Sequence, residues 1–265
     1  MPSLLTTFPH RSEFEKAKRT LDSLQLPYEV ISPQPAFRLV GVPALVMDTE
    51  ARASLAQRDV GDLVFSDWVD YFGGEAAVPL DDPPVFAEDV FGTASISVFG
   101  RCVSDRTKIR LIAQISGDLT EAFPYLNAEM KTACYNPRGP NLSFMDSYRM
   151  ISLYPHRIAI AKADDIVDAW RTLEMIRCRV NDVWLRRSQI EPSCEMRRKP
   201  PVLEIFRRLP RTNCRTCGGL TCLAFAIRLY EGFASPLECK PVFAGPLPGL
   251  REPLREICGH LGVYE

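Results

Sequence analysis

Four cysteines near the end of the chain constrain its fold more than any other feature. They are Cys214, Cys217, Cys222 and Cys239, and their spacing is C-x2-C-x4-C-x16-C. Three thiols on one short loop, with a fourth arriving from further along the chain, are typical of a cubane iron–sulfur cluster held by four thiolates. The spacing therefore predicts a cluster-binding loop in this part of the chain.

The residues between these cysteines suit a curled loop that leads into a helix. Gly218 and Gly219 let the backbone adopt positive φ and approach inorganic sulfides closely. Thr221 is placed to cap a helix, which Gly232 can end. Pro236 keeps the return to the last cysteine from being helical. The predicted apolar face of this helix consists of Cys222, Phe225, Ala226 and Leu229.

Other uses of the cysteines remain open from spacing alone. A structural zinc site also takes four thiolates, although zinc ribbons usually use two C-x2-C pairs, and only Cys214 and Cys217 form such a pair. A disulfide framework fits poorly with an N-terminus that lacks the pattern of an export signal. The five other cysteines are scattered singly, and we expect them to be small buried hydrophobic residues. They are Cys102, Cys134, Cys178, Cys194 and Cys258.

The run from Leu209 to Ala226, L-P-R-T-N-C-R-T-C-G-G-L-T-C-L-A-F-A, carries a family resemblance. It resembles the small 4Fe–4S domain of the corrinoid iron–sulfur protein large subunit, which also occurs in cluster-binding subunits of membrane electron-transport complexes. The family pattern is roughly L-P-G-T-N-C-G-x-C-G-x-x-T-C-x-A-F-A followed by a helix and a last cysteine. The resemblance covers about residues 203–243. It departs at Arg211 and Arg215, where glycine is common, and at Lys240, where proline often follows the last cysteine.

This resemblance implies a cofactor, its ligands and a class of partner. Cys214, Cys217, Cys222 and Cys239 would hold one 4Fe–4S cluster that transfers single electrons at low potential. Such domains feed electrons to a corrinoid or another oxygen-sensitive metallocentre, often to reactivate it. Because no corrinoid- or flavin-binding motif is visible, we expect the acceptor on another polypeptide.

Seven basic residues precede and enter the cysteine loop, and we call them the basic collar. Between residues 197 and 215 the only acid is Glu204, so this segment carries a net charge of 7 − 1 = +6. Positive charge beside an anionic cluster favours its reduced state, and it could also steer an acidic redox partner. The alternative interpretation is a solvated face, or pairing with the chain's own acidic linker. The collar consists of Arg197, Arg198, Lys199, Arg207, Arg208, Arg211 and Arg215.

Composition excludes several other classes of function. The net charge of the 265 residues is −1, which gives no reason to expect a nucleic acid as partner. No apolar run approaches the roughly 20 residues that span a bilayer, so we expect no membrane insertion. Nine cysteines without an export signal favour a reducing cytoplasm. We find no paired catalytic carboxylates, phosphate loop or nucleophile elbow. The chain is therefore expected to transfer electrons and not to be an enzyme by itself.

The predicted fold class is α/β (α+β), with three units. Residues 1–72 form a small β-α-β domain, 73–92 an acidic proline-rich linker that is extended and solvated, 93–195 an α+β domain and 196–265 the 4Fe–4S domain. The stretch from Ser3 to Pro33 resembles a short domain suggested to carry sulfur or selenium. That role needs a thiol, and because the first cysteine is Cys102, we interpret this unit as a docking or structural domain.

Local patterns predict the elements within these units. A capping box from Ser12 to Glu15 begins the first helix, and Asp48 or Thr49 caps the second. Residues 109–115 and 119–130 are predicted to be helical. A strand pair flanks residues 155–156, with a turn near 146–147, and Asp164 or Asp165 caps a long helix that reaches Pro192 at the latest.

Two further functions compete with electron transfer. The protein could be an accessory factor that assembles or inserts a metallocofactor, with the cluster as sensor or cargo. It could instead be an interaction protein with a structural zinc site. A cluster that cycles between redox states without leaving the protein would distinguish electron transfer from assembly.

Overall fold

A computed structural model describes residues 3–58, 67–71, 82–103, 105–197 and 200–259. The strands are β1 (Ser3–Thr6), β2 (Tyr28–Ile31), β3 (Ala44–Met47), β4 (Val69–Tyr71), β5 (Ala94–Arg101), β6 (Ile109–Ile115), β7 (Cys134–Asn136), β8 (Asn141–Asp146), β9 (Arg149–Tyr154) and β10 (Arg157–Ala163). The helices are α1 (Arg11–Leu24), α2 (Thr49–Arg58), α3 (Phe123–Glu129), α4 (Ile166–Leu185), α5 (Val202–Arg207), α6 (Cys222–Tyr230), α7 (Lys240–Phe243) and α8 (Arg251–Gly259). Helices and antiparallel sheets together confirm the predicted α+β class.

The chain divides into two compact units. The first consists of Met1–Ala122 and Leu153–Ser188, and the second of Phe123–Ser152 and Gln189–Glu265. The domain boundaries expected near residues 72, 92 and 195 stay predictions. None of the described helices is both long and apolar enough to cross a membrane.

The first unit begins with a four-stranded antiparallel sheet in the order β2-β3-β1-β4. The order of elements along the chain is β-α-β-β-α-β, so β3 lies between β1 and β2 in a split β-α-β arrangement. The predicted β-α-β unit is thus present and is extended by a second half. Its core packs Phe8, Phe14, Leu21, Leu45 and Leu55 between the sheet and the two helices.

The start of α1 differs from the predicted capping box. The N-cap is His10, whose side chain makes no capping hydrogen bond, so Ser12 lies inside the first turn. The His10 carbonyl already accepts from the backbone N–H groups of Glu13 and Phe14. Phe8 packs edge-on against Phe14, with ring centroids 5.9 Å apart, and this buried contact fixes the point at which the chain enters the helix.

Strand β6 corrects the helix predicted over residues 109–115. Ile109, Leu111, Ala113 and Ile115 are buried and alternate with more exposed residues. This is the two-residue period of a strand. The strand pairs antiparallel with β5 on one side and β10 on the other. The apolar run alone is compatible with a helix or a strand, and its pairing in the sheet selects the strand. The helix predicted over 119–130 is shorter, since α3 begins only at Phe123.

Helix α4 is the long helix expected after Asp165. Asp165 caps it by accepting a hydrogen bond from the Asp168 backbone at 2.8 Å. Midway along it the fully buried Arg177 pairs with Glu174 and with Asp89. Residues 73–81 of the predicted linker lie outside the described residues. In the described remainder Asp89 is exposed and pairs with the buried Arg177, because a buried cation needs an anionic partner, and the extended, solvated linker stays a prediction.

The second unit contains a core built from α5, α6, α7 and α8. Its buried members include Ile205, Phe225, Leu229, Val242 and Leu254. Residues 123–152 contribute α3 and the β7–β8 pair to the same unit. The predicted turn near 146–147 is confirmed, with Ser147 at φ 52° between β8 and β9. This unit carries the cysteine motif.

Candidate metal centre

The cysteine loop is tightly curled over residues 211–218. Arg211, Asn213, Arg215 and Gly218 have φ values of 60°, 51°, 62° and 73°. Only one of the four is glycine, and each other residue in this left-handed region costs on the order of 1 kcal/mol. The two arginines stand where the family pattern has glycine. The backbone of this chain thus explains the glycines of the pattern, because those positions require positive φ.

Two side chains close the loop onto α6. The Asn213 Oδ1 accepts a hydrogen bond from the Cys222 backbone N–H at 2.8 Å, which joins the start of the loop to its end. The Thr221 hydroxyl accepts from the Ala224 backbone N–H at 3.0 Å, so the predicted cap is confirmed. The buried face of α6 also consists of the four residues predicted for it.

The four motif cysteines differ in exposure. Cys222 and Cys239 are 7% and 5% exposed and belong to one hydrophobic core, and Cys217 is half-buried against the same core. Cys214 is exposed, and its Sγ lies 3.1 Å from the hydroxyl of Thr216. The exposure of the thiols therefore increases from the buried Cys222 and Cys239 to Cys214 at the surface.

The pKa values of the cysteines reflect these surroundings. Burial, together with the charges of Cys217, Cys222 and Cys214, raises the pKa of the Cys239 thiol to about 11. The hydrogen bond from Thr216 lowers the pKa of Cys214. A thiol whose pKa is raised becomes a ligand when a cation compensates the negative charge of its thiolate, so binding of metal would release the proton of Cys239.

Cys217, Cys222 and Cys239 lie in or against one core, whereas Cys214 lies outside it. In the ranges that the structure describes, no group of three or more His, Cys, Asp or Glu side chains is arranged to hold a metal ion. The donor set itself is chemically uniform, with four soft thiols on one loop, one helix start and one turn. Such a set fits an iron–sulfur cluster or zinc, and it fits neither calcium nor magnesium, which prefer oxygen ligands.

Arg228 ties together the loop and the turn that carry two of the cysteines. Its guanidinium donates to the carbonyl of Cys217 at 3.1 Å and to that of Phe233 at 3.3 Å. It also pairs with Glu238, the residue before Cys239, at 3.5 Å. Sequence reasoning missed this residue. The signal that could have found it is its position as the only charged residue of α6.

The turn before Cys239 is fixed by its own capping box. The Ser235 hydroxyl accepts from the Leu237 backbone N–H, while the Glu238 side chain accepts from the Ser235 backbone N–H at 2.8 Å. Cys239 then becomes the N-cap of α7, and its carbonyl accepts from the backbone N–H groups of Val242 and Phe243. The fourth cysteine is therefore held by backbone hydrogen bonds on both sides.

Three of the five described residues of the basic collar are engaged within the second unit. Arg207 and Arg208 both pair with Glu204. The side chain of Arg197 donates to the carbonyls of Asn127 and Met130. Arg198 and Lys199 lie outside the described residues. Among the described members only Arg211 and Arg215 are exposed and have no ion-pair partner in the described part of the chain. Among the described members of the collar, positive charge without an ion-pair partner is therefore confined to the two arginines of the loop.

The remaining cysteines follow the expected burial only in part. Cys102 and Cys258 are buried, Cys134 and Cys178 are half-buried, and Cys194 is exposed. Burial raises the pKa of Cys258 to about 12 and that of Cys178 to about 11. The expectation of a buried hydrophobic residue is therefore wrong for Cys194.

Comparison with known proteins agrees with the motif. Residues 209–241 match a family model described as "Putative Fe-S cluster". The gamma subunit of the acetyl-CoA decarbonylase/synthase complex from Archaeoglobus fulgidus is 41% identical over 64 residues, which is 23% of this chain and 13% of that subunit. The corrinoid/iron-sulfur protein large subunit of Moorella thermoacetica is 54% identical over 37 residues, 14% of this chain and 8% of the relative.

The similarity is confined to a small part of this chain and to a small part of each relative. The aligned segments span about an eighth or less of the length of these two relatives. No solved structure is significantly similar to the chain. The resemblance predicted over residues 203–243 is nevertheless confirmed, and it supports an iron–sulfur cofactor. Residues 209–241 therefore match a family model of an iron–sulfur cluster domain, and the chain has partial homologues in these two subunits.

Proposed function

We propose that Cys214, Cys217, Cys222 and Cys239 hold one 4Fe–4S cluster, and that the protein exchanges single electrons with a partner protein through it. The observation that carries this proposal is the gradient in thiol exposure, from buried Cys222 and Cys239 to exposed Cys214. A centre held by such a set has one side in a hydrophobic core and one edge at the surface. The buried side limits access of water, and the exposed edge allows electrons to pass to a docked protein.

The surroundings of the loop support an anionic centre. Between Ile205 and Tyr230 the sequence contains no acidic residue and five arginines. The nine-residue helix α6 begins at Cys222, so its partial positive end faces the loop that carries the thiols. A 4Fe–4S cluster bound by four thiolates is net anionic and would supply a one-electron couple. Nearby cations and the helix end raise its potential relative to an uncharged site.

The names of the relatives suggest the class of acceptor. They include a subunit of the acetyl-CoA decarbonylase/synthase complex and a corrinoid/iron-sulfur protein. We propose that the acceptor is a corrinoid or another oxygen-sensitive metallocentre on a separate polypeptide, which this chain reduces and so reactivates. Since the shared segment is a small fraction of either relative, the acceptor itself must be identified by experiment.

Ligand identity can be tested by paired substitutions of cysteine by alanine. The chain is purified anaerobically, and iron and acid-labile sulfide are measured for each variant. Cys214→Ala is compared with Cys194→Ala, because both thiols are exposed, and Cys239→Ala with Cys258→Ala, because both are buried in one core. Each change of a proposed ligand should lower iron and sulfide together, while its control should keep them.

The competing functions predict different results in the same preparation. Full iron and an unchanged spectrum in Cys239→Ala would refute that ligand. One zinc ion and no sulfide in the unsubstituted protein would refute the cluster and favour an interaction protein. If the cluster moves intact to an apo-acceptor instead of cycling between redox states, the chain is an assembly factor and not an electron carrier.

A further inference from the structure

Helix α6 exposes apolar side chains on the face opposite its buried one. Leu223 and Ile227 are 40% and 42% exposed and lie one helical turn apart, and Leu220, just before the helix, is 74% exposed. An amphipathic surface helix normally turns polar residues to the solvent. Grouped exposed apolar residues, in contrast, mark sites of interaction with other molecules.

This apolar face is contiguous along the chain with the cysteine loop. Leu220 lies between Cys217 and Cys222, and Leu223 directly follows Cys222. The same loop presents Cys214, the exposed member of the proposed ligand set. A molecule that covers the exposed leucines would therefore lie beside the exposed edge of the metal centre.

Two arginines give this surface a positive rim. Arg211 and Arg215 are exposed and have no ion-pair partner among the described residues, whereas Arg207, Arg208 and Arg228 are engaged by acids of their own unit. Both also occupy left-handed backbone positions, where glycine would be unstrained. Arginine at these positions is costly for the loop, so its benefit must be sought outside the folding of the loop.

We propose that Arg211, Arg215, Leu220, Leu223 and Ile227 form the docking surface of an acidic electron-carrier protein. We call these residues the loop patch. Protein interfaces combine an apolar centre with a charged rim, so the fitting partner presents apolar side chains surrounded by carboxylates. This inference rests on the proposed electron transfer and names the surface at which it occurs.

The composition of the loop patch favours a protein over a nucleic acid. Two unpaired arginines can neutralise few phosphates, and three exposed aliphatic side chains gain nothing from a phosphate backbone. In binding to an acidic protein, the arginines and the aliphatic residues of the loop patch affect different rates. The arginines steer the encounter and raise the rate of association, while burial of the leucines and the isoleucine slows dissociation.

The test uses the full chain, loaded anaerobically with iron and sulfide, and two acidic probes. These are a bacterial flavodoxin and a small two-cluster ferredoxin. Association and dissociation rates are measured on an immobilised probe at low and at physiological salt. In parallel, flavodoxin hydroquinone is mixed with the oxidised protein. The anionic hydroquinone FMNH⁻ loses one electron to become the neutral semiquinone FMNH•, and the cluster accepts that electron.

Two double variants separate the rim from the centre of the loop patch. Arg211→Gly with Arg215→Gly keeps the loop backbone and should slow association about tenfold at low salt and less at physiological salt, because screening weakens steering. Leu223→Gln with Ile227→Gln should speed dissociation about tenfold with little change in association. The matched controls are Arg106→Gly with Arg138→Gly, which remove the same charge, and Leu185→Gln, whose side chain is 42% exposed like that of Ile227.

Each outcome decides the proposal. Slower association of the arginine variant and faster dissociation of the leucine–isoleucine variant, with controls that bind like the wild type, support it. Wild-type protein that binds neither probe, or loop-patch variants that bind like wild type, overturn it. Binding to phosphatidylglycerol vesicles that falls with the same substitutions would assign the surface to a membrane and also overturn it. Because binding is measured apart from reduction, failure of the cluster to accept electrons would refute the proposed function and leave the binding result interpretable.

Discussion

Substitution of Arg228 by methionine tests whether this residue positions the metal centre. The change keeps an unbranched apolar side chain and removes the guanidinium that joins Cys217 to Glu238 and Phe233. A hydrogen bond from a charged donor contributes about 1.5–3 kcal/mol. Arg228 is 38% exposed, so we take less than the lower end, about 1 kcal/mol, for each of the two carbonyl contacts. The half-exposed ion pair with Glu238 adds little to the free energy of unfolding.

The expected total is about 2 kcal/mol, which corresponds to about a 30-fold change in an equilibrium constant. It should appear in two measurements. The free energy of unfolding in urea should fall by about this amount, and iron should pass to a chelator faster than from the wild type. Iron should be released faster because Arg228 no longer connects the loop that carries Cys217 to the turn that carries Cys239.

Arg251→Met provides a matched control within the same unit. Arg251 also donates to a backbone carbonyl, that of Phe243 at 3.0 Å, but it contacts none of the four motif cysteines through this bond. With one carbonyl contact instead of two, we expect it to lower the free energy of unfolding by about 1 kcal/mol while leaving the rate of iron release, compared at equal stability, close to that of the wild type. Equal iron release from Arg228→Met and Arg251→Met would show that Arg228 has only a structural role.

Three further predictions concern other residues of the second unit. Cys239→Ala should release most of the iron, whereas Cys258→Ala, in the same core, should retain it, as measured by metal analysis after desalting. Arg211→Gly and Arg215→Gly should each raise the free energy of unfolding by about 0.5 kcal/mol, because relief of left-handed strain exceeds the added flexibility of glycine in the unfolded chain. Burial raises the pKa of Cys258 from 9.0 to about 12, so the folded state disfavours its thiolate, and stability should fall as the pH rises from about 9 towards 12. Urea titrations of wild type and Cys258→Ala across this range should show a smaller fall in the variant.

The parts of the fold that depend on neighbours in sequence could be predicted. Thr221 caps α6 and Asp165 caps α4 because a cap needs only a side-chain oxygen and the next turn of backbone. The pairing of β6 could not be predicted in this way. Ile109–Ile115 is a short apolar run that is compatible with a helix or a strand, and only its two neighbouring strands select the strand.

In the candidate site, the partners of the charged side chains could likewise not be predicted from the sequence. The sequence shows how many basic residues surround the loop, but it does not show that Glu204 engages Arg207 and Arg208. It likewise gives no sign that Arg228 reaches the carbonyl of Cys217, eleven residues away. The four cysteines could be proposed as ligands because ligand spacing is a local pattern, whereas the residues that position them depend on tertiary packing.

The most direct test of the central claim is native mass spectrometry of the full chain, purified and sprayed without oxygen. We predict a mass above that of the polypeptide by four irons and four sulfides, an increment that disappears in the variant in which all four proposed ligands are alanine. A mass increment of a single zinc ion with no sulfide, or a cluster that persists without these four cysteines, would contradict the proposal that they hold one 4Fe–4S cluster.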